Sequence, residues 1–351
     1  MTVLDRMATR AGIAASLSNM SSDAIRTLLA DDGTQRVGLG GSTQVVEIAG
    51  SSVFVKLLTL TDRELDAGPD DTRNLFGLPP WYQYGVGEGS TGFSAWREIA
   101  AHELASQWVV TGAHSAFPLL YHWRVLHAVP RIGPGENDIR RAVQFWDGAP
   151  GIEVRLRALA ASNAVAAVFL EYVPFTLRGW LDHQLTAAGQ DLALVVATVE
   201  RELLGAAEHM RAAGVVHFDA HLDNVLTTGE HLVVSDFGLA TGHGFQLDDA
   251  ERQFLEHHAD HDIAYCAAEL TNAILGRAMT FPSVTVRNAW TRQCAQTGAT
   301  DGVMDPLAAT VRRHAATTAL VNDFYFQLHN GHFQAQFPAT ELAAILPKSR
   351  R

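Results

Sequence analysis

The hydrophobic pattern of this chain changes near residues 172–176, and that change constrains the fold more than any other feature. Before it, apolar residues form short strand-like blocks: residues 45–48 and 53–56 flank a turn at Gly50, and Ala164–Tyr172 has the pattern of a buried strand. After it, apolar residues recur with helical spacing over about 176–188, 191–213, 247–276, 285–297 and 306–328. The sequence therefore predicts an α+β chain in which a strand-rich lobe precedes a helical lobe, with a cleft between the two lobes.

The strand-rich part also contains other predicted elements. They are helices over about 21–31 and 95–110, a strand near 117–127, a loop at 130–151 and a longer insertion at 61–95. The domain boundaries that follow are an N-terminal helical extension over 1–34, an N-lobe over 35–173 with the insertion at about 61–95, and a helical C-lobe over 174–351.

The insertion at 61–95 is rich in Gly, Pro and Asp but carries three closely spaced aromatic residues, Trp81, Tyr82 and Tyr84. Loops longer than about 12–15 residues usually have a function or are disordered. The aromatic residues favour a folded loop, and we expect it to face the molecule on which the protein acts.

The composition argues against several classes of function. The 351 residues include 26 Lys and Arg against 38 Asp and Glu, a net charge of −12, whereas a nucleic-acid partner requires a basic surface. The two cysteines lack CxxC spacing and predict a reducing compartment without a disulfide framework. No signal-peptide pattern is evident, and no apolar run approaches the ~18–20 residues that span a bilayer. We therefore expect a cytoplasmic protein that binds neither nucleic acid nor membranes.

The stretch over 215–240 carries the residues best suited to chemistry. Its pattern predicts two short strands joined by a turn at Gly229, with Asp219 and Asn224 on one side and Asp236 after the second strand. One carboxylate can orient an attacking hydroxyl, while a second carboxylate and an amide oxygen can hold Mg²⁺ against phosphates. Hard oxygen ligands favour magnesium over zinc. This pattern suits phosphoryl transfer.

The arrangement His217-x-Asp219-x4-Asn224, followed by Asp236-Phe237-Gly238, resembles the protein-kinase superfamily, which includes the aminoglycoside and choline phosphotransferases. Asp219 and Asp236 stand 17 residues apart with strand patterns between them. The resemblance implies a bilobal protein-kinase-like fold that binds ATP and Mg²⁺. It implies that Asp219 is the catalytic carboxylate and that Asn224 and Asp236 are the metal ligands.

The segment over 37–45 resembles the glycine-rich loop that covers the ATP phosphates in this family, although Thr43 replaces its third glycine. Lys56, at the end of the hairpin, matches the lysine that reaches the α and β phosphates. The residues of the loop that the resemblance places against the nucleotide are Gly38, Gly40, Gly41, Ser42 and Val45.

The lysine needs a carboxylate partner from the next helix, which offers Glu98 and Glu103. The two lie about 140° apart around a helix, so they cannot both face Lys56. Glu98 is preferred because it lies in the first half of the helix, and Glu103 is then expected to be a solvated surface residue.

Residues 169–173 resemble the segment that binds adenine between the lobes. The resemblance implies that the Glu171 carbonyl and the Val173 amide hydrogen-bond the base and that Leu170 lies beside it. Asp262 resembles the buried aspartate that steadies the catalytic loop. A zinc pair at His257 and His261 is a rival hypothesis, but no third ligand stands at a suitable spacing.

The acceptor is the least determined part of the prediction. His221 stands where small-molecule phosphotransferases usually carry His and protein kinases Lys, and no Ala-Pro-Glu motif lies between Gly238 and Asp262. Both features favour a small-molecule alcohol. Phe237, the glycine-rich segment and the adenine segment are more like serine/threonine protein kinases, which are the alternative. An ATP-binding pseudokinase or scaffold ranks below both, because Lys56 and the three other expected functional residues are all present.

Overall fold

The computed structural model describes residues 2–30, 36–37, 40–129, 133–186 and 191–346. The chain is a mixed α and β protein with two compact units. Unit 1 comprises Met1–Val173 and Asp236–Arg252, and unit 2 comprises Pro174–Ser235 and Gln253–Arg351. None of the described helices combines the length and apolar character that crossing a membrane requires.

The helices and strands, in chain order, have the following bounds. The helices are α1 (Val3–Asn19), α2 (Ser22–Ala30), α3 (Asp62–Ala67), α4 (Ala95–Val110), α5 (Glu136–Phe145), α6 (Ile152–Ala161), α7 (Leu177–Thr186), α8 (Leu192–Ala212), α9 (Asp249–His257), α10 (His261–Ala278), α11 (Val284–Thr297), α12 (Asp305–His329) and α13 (Ala339–Ile345). The strands are β1 (Arg36–Val37), β2 (Gly41–Ile48), β3 (Ser51–Thr59), β4 (Leu120–Leu126), β5 (Val165–Glu171), β6 (Phe175–Thr176), β7 (Val215–Val216), β8 (Val225–Thr227), β9 (Leu232–Val234) and β10 (Thr241–Gly242).

Unit 1 is built on an antiparallel sheet with the strand order β1-β2-β3-β5-β4. The predicted hairpin is confirmed: Ile48 pairs with Ser51, and the two turn residues Ala49 and Gly50 have φ angles of 52° and 77°. Two positive φ angles in a two-residue turn match the right-handed twist of the flanking strands. This turn therefore fixes the register that places Lys56 in β3 opposite Thr43 in β2.

Helix α4 packs on this sheet and confirms the helix predicted over 95–110. Ser94 caps its start by accepting a hydrogen bond from the Trp96 amide at 3.1 Å. Burial of the apolar side chains on this face supplies the main driving force for docking the helix. The buried residues of this core are Leu58, Leu60, Ala95, Trp96, Ile99, Leu120, Ala164, Ala166, Val168 and Leu170.

The insertion at 61–95 is folded, as predicted. Glu64 in α3 is fully buried; its carboxylate accepts hydrogen bonds from the Ala95 amide at 2.9 Å and from Arg155 at 3.2 Å. Tyr82 is also fully buried, and Trp81 stacks on Trp146 with ring centroids 5.6 Å apart. The insertion is thus anchored to α4 and α6, while its expected contact with an acceptor stays a prediction.

Two predictions of secondary structure were wrong. The predicted loop at 130–151 contains helix α5, whose polar sequence buries only Ile139 and Ala142. The N-terminal extension predicted over 1–34 does contain helices, α1 and α2, and Thr2 and Asp5 cap the start of α1 reciprocally. The helix predicted over 247–276 is two helices, because α9 ends at His257 and α10 begins at His261.

Unit 2 is mainly helical, with a small sheet in the order β6-β8-β9. Helix α10 packs against α8 and α12, and α12 packs against α11. Glu200 of α8 accepts hydrogen bonds from His314 at 2.8 Å and from Arg313. Burial works to raise the pKa of Glu200, but these bonds hold it down at about 2. Cys266 and Cys294 are both buried thiols, which agrees with the absence of a predicted disulfide.

Candidate functional site

Lys56 lies between two carboxylates in unit 1. Its ammonium nitrogen is 2.6 Å from Oε1 of Glu98 and 2.6 Å from Oδ1 of Asp236. Burial works to lower the pKa of Lys56, but the charges of Asp236 and Glu98 raise it well above its usual value. The lysine is therefore held as a cation, in a fixed position, in the middle of the sheet.

Of the two glutamates of α4 that were considered as partners of Lys56, the structure shows which one contacts the lysine. Glu98 is buried and contacts the lysine, whereas the exposed Glu103 accepts a hydrogen bond from the indole of Trp123 at 2.9 Å. The helical angle between the two positions explains why only one can face β3. Glu98 is the one that contacts Lys56.

Asp236 follows β9 in the sequence and has a left-handed backbone, with φ 61° and ψ 72°. Its Oδ1 accepts a hydrogen bond from the Gly238 amide at 3.3 Å. The next residue, Phe237, is buried, with its ring centroid 5.2 Å from that of His102, one turn after Glu98. Asp236 is thus fixed relative to the same helix that carries Glu98, while its side chain is 45% exposed.

The chain after Asp236 is held against the insertion and α4. A Cβ at Gly92, where φ is 64°, would lie 2.1 Å from the Gly238 carbonyl oxygen, so only glycine permits this approach. Further along, Glu251 forms a buried ion pair with Arg97 at 2.7 Å. Sequence reasoning missed this ion pair, because the partners lie far apart in sequence and neither belongs to a recognisable motif.

The predicted glycine-rich loop is partly described. Gly38 lies outside the described residues, whereas the Gly40 carbonyl accepts a hydrogen bond from the Thr59 amide at 3.0 Å. Gly41 begins β2, and a Cβ there would lie 1.9 Å from the Leu57 carbonyl oxygen. Strand pairing therefore explains the need for glycine at position 41. Contact of Gly40 and Gly41 with phosphates stays a prediction.

The two other residues predicted in this loop differ in exposure. Ser42 is buried, and no hydrogen-bond partner of its hydroxyl is found among the described residues. Val45 is 37% exposed. Of the two side chains, only that of Val45 is accessible to a ligand in this conformation.

The predicted adenine segment ends β5. Leu170 belongs to the core, and Val173 is 7% exposed. The side chain of Glu171 is buried and forms an ion pair with Arg6 of α1 at 2.7 Å. This role of Arg6 was not predicted from the sequence. The one indication in the sequence is a charged residue among the apolar residues of the N-terminal segment.

In unit 2, Asp219 and Asn224 are in direct contact. The amide nitrogen of Asn224 donates to Oδ2 of Asp219 at 2.9 Å and to its carbonyl oxygen at 3.0 Å. The Asn224 carbonyl oxygen in turn accepts from the amide of Ser235, at the end of β9. Because the side-chain nitrogen of Asn224 faces Asp219, its Oδ1 points the other way, as a metal ligand would require.

The loop that carries Asp219 is fixed by His217 and Asp262. Asp262 is buried and accepts from the His217 amide at 2.6 Å and the Phe218 amide at 3.1 Å. The Phe218 backbone has a φ of 65°, a strained value for a bulky residue. The ring of His217 accepts from the Asp219 amide at Nδ1, so its Nε2 donates to the Ser235 carbonyl at 3.0 Å.

Asp262 keeps its charge despite its burial. Burial works to raise the pKa of its carboxyl, but the hydrogen bond from His261 and the backbone donors hold the pKa below its usual value. Asp262 therefore binds the backbone of the loop that carries Asp219, and the catalytic role of that loop stays a prediction.

His221 lies beside Asp219, with Nε2 at 3.6 Å from Oδ1 of Asp219. Its Nδ1 accepts from the Asp223 amide at 3.2 Å, so the neutral ring carries its proton on Nε2. The loop is further held by Arg178, which bridges Asp223 at 2.6 Å and Glu269 at 2.9 Å. This bridge was missed, because nothing local in the sequence links α7 to α10.

The two histidines considered as a zinc pair have other partners. His257 Nε2 lies 3.2 Å from the Phe337 carbonyl, and His261 lies between Asp262 at 3.0 Å and the Tyr325 hydroxyl at 2.8 Å. Over the described ranges, no group of three or more His, Cys, Asp or Glu residues is placed to hold a metal ion.

No protein-family model matches this sequence, and no curated protein sequence matches it either. A function must therefore be argued from the side chains themselves. These are Lys56, Glu98 and Asp236 in unit 1 and Asp219 and Asn224 in unit 2.

Proposed function

We propose that the protein is an ATP-dependent phosphotransferase of the protein-kinase-like fold that transfers the γ-phosphoryl group to an acceptor hydroxyl. The observation that carries the proposal is Lys56, a charged ammonium fixed 2.6 Å from both Glu98 and Asp236. In the proposed reaction a lysine that positions the α and β phosphates needs a glutamate partner and a metal-binding aspartate close by, and Glu98 and Asp236 supply these two carboxylates.

Each residue of unit 1 has a distinct part in the proposed reaction. Lys56 binds the α and β phosphates, and Glu98 orients its ammonium group. The half-exposed Asp236 supplies carboxylate oxygens for Mg²⁺. Main-chain groups of Glu171 and Val173 bind adenine. The antiparallel sheet, with α4 packed on it, supports a nucleotide-binding lobe of this fold.

In unit 2, Asp219 orients the acceptor hydroxyl and takes its proton, and Asn224 supplies an amide oxygen for Mg²⁺. These donors fit the metal, because magnesium prefers hard oxygen ligands. When bound, the metal neutralises charge on the phosphates. The contact between Asn224 and Asp219 holds the carboxylate in one orientation, and positioning is the main source of acceleration in such reactions.

A small-molecule alcohol is the proposed acceptor. His221 carries its proton on Nε2 beside Asp219, in a sequence position where small-molecule phosphotransferases usually carry histidine. A serine/threonine protein kinase is the second candidate, favoured by Phe237 after Asp236 and by the resemblance of the glycine-rich and adenine segments to those of protein kinases. A pseudokinase ranks below both, because charged groups are costly to hold buried without a use.

Incubation with γ-labelled ATP and a cell extract, split into protein and small-molecule fractions, tests the proposal. Wild-type protein should label the small-molecule fraction, and Asp219→Asn should abolish labelling while it keeps ATP binding. Glu103→Gln is the matched control, since that side chain contacts Trp123 rather than Lys56. Label in protein alone would favour the second candidate. Unchanged transfer by Asp219→Asn would refute the assignment.

A further inference from the structure

Arg6 is a buried cation whose partner lies in the proposed adenine segment. Its Nε donates to Oε1 of Glu171 at 2.8 Å, and its Nη2 donates to Oε2 at 2.7 Å. The two side chains are only 2% and 5% exposed. A two-pronged bond of this kind fixes the direction of both partners as well as their distance.

The same guanidinium also binds the connection between α4 and β4. It donates to the carbonyls of Ser115 at 2.8 Å and Phe117 at 2.6 Å. The Leu119 amide donates to the Glu171 carboxylate at 3.1 Å, and the Glu171 amide donates to the Leu119 carbonyl. Arg6 therefore joins three segments of unit 1 at the last residue of β5.

Stability alone does not account for such a pair. Removing two charges from water is costly, and well-packed apolar side chains of similar volume often stabilise a core equally well. The ion pair also fixes the orientation of Glu171, which lies two residues before Val173. Glu171 and Val173 are the two residues whose main-chain atoms are proposed to bind adenine.

We propose that Arg6 is a positioning residue for the nucleotide: through Glu171 it holds the main chain over 171–173 in the orientation that binds adenine. This inference rests on the proposed function. It makes α1 part of the nucleotide site, although α1 itself need not touch the ligand.

The test separates orientation from stability with three variants. Arg6→Met combined with Glu171→Met removes both charges but leaves the Phe117 carbonyl and the Leu119 amide without these partners, so its unfolding midpoint in urea should fall, and its ATP binding is measured without urea, where the variant is folded. Its Kd for ATP and its KM for ATP should rise roughly tenfold or more, while kcat changes much less. Arg6→Lys keeps the charge but not the two-pronged bond, and should show a smaller rise in both constants.

Arg10→Met is the matched control. Arg10 lies one turn later on α1 and donates to the Leu120 carbonyl at 2.9 Å rather than to Glu171. This variant should bind ATP as the wild type does. Hydrogen exchange of the amides at 171–173 should quicken in the two Arg6 variants but not in Arg10→Met.

The outcomes distinguish this inference from the proposed function. Wild-type protein that binds no ATP would overturn both. Wild-type binding with an unchanged Kd in the folded double variant would overturn the role of Arg6 alone. If the double variant does not fold, Arg6→Lys decides: an unchanged Kd for ATP rejects the inference, and a raised Kd with an unchanged urea midpoint supports it.

Discussion

Replacing Asp262 should release the loop that carries Asp219. The carboxylate accepts three hydrogen bonds, from the amides of His217 at 2.6 Å and Phe218 at 3.1 Å and from the His261 ring at 3.0 Å. Asp262→Ala leaves the two amides buried without an acceptor, at about 1–3 kcal/mol each. With the lost contact to His261, we expect the free energy of unfolding of unit 2 to fall by about 3–5 kcal/mol.

Asp262→Asn is a milder form of the same change. Its side chain keeps one carbonyl oxygen but loses the second acceptor and the charge, so we expect a loss of about 1–3 kcal/mol. Folded domains are typically stable by about 5–15 kcal/mol, so this variant should remain folded. The strained Phe218 backbone then loses one of the bonds that hold its φ of 65°.

Urea unfolding and amide hydrogen exchange together measure the effect. In Asp262→Ala, exchange of the His217 and Phe218 amides should accelerate by about a hundredfold to a few thousandfold, since each 1.4 kcal/mol of the expected loss corresponds to a factor of ten. The control is Thr271→Val in the same helix, whose hydroxyl donates only to the Ala267 carbonyl of its own helix. A loss below about 0.5 kcal/mol with full protection of the two amides would refute the reasoning.

Three further predictions concern other carboxylates. Glu98→Gln should reduce phosphoryl transfer at least roughly tenfold and Glu103→Gln less than about twofold in steady-state kinetics, and equal effects would contradict the assignment. Glu64→Gln should cost about 3 kcal/mol in urea unfolding, because Arg155 stays buried without its carboxylate; a neutral result would show that this pair stabilises little. The carboxyl of Glu200 titrates at about 2 in the fold and near 4.5 when unfolded, so its stabilisation is full above pH 4.5 and is lost as the pH falls towards 2. The difference in unfolding free energy between the wild type and Glu200→Gln should therefore shrink over that pH range. A constant difference would contradict the lowered pKa of Glu200.

Local sequence predicted the parts of the molecule whose structure is determined locally. The hairpin of β2 and β3 was predicted because alternating apolar residues flank a turn that contains Gly50. The contact between Asp219 and Asn224 lies within one short loop, so the spacing of the motif was sufficient to place both residues together.

Other features depend on residues that lie far apart in the sequence or lie between stretches that are typical of loops. Arg6 and Glu171 are 165 residues apart, and nothing in the sequence around either residue indicates that the two form an ion pair. Helix α5 has the helical spacing of apolar residues Ile139, Ala142, Val143 and Trp146, but it was missed because the Gly- and Pro-rich stretches on either side of it are typical of loops. The pairing of Arg6 with Glu171 is decided by tertiary packing, whereas α5 follows a local pattern.

The division of unit 1 into two stretches of chain has a consequence for its synthesis. Asp236–Arg252 belongs to this unit, although the chain has by then already passed through residues 174–235 of unit 2. The ribosome must therefore release the chain as far as Asp236 before Lys56 can meet that residue, and as far as Glu251 before Arg97 can form its ion pair. Until Asp236 has left the ribosome, Lys56 can pair with Glu98 but not with its second carboxylate. The pair of carboxylates around Lys56 can thus become complete only late in translation.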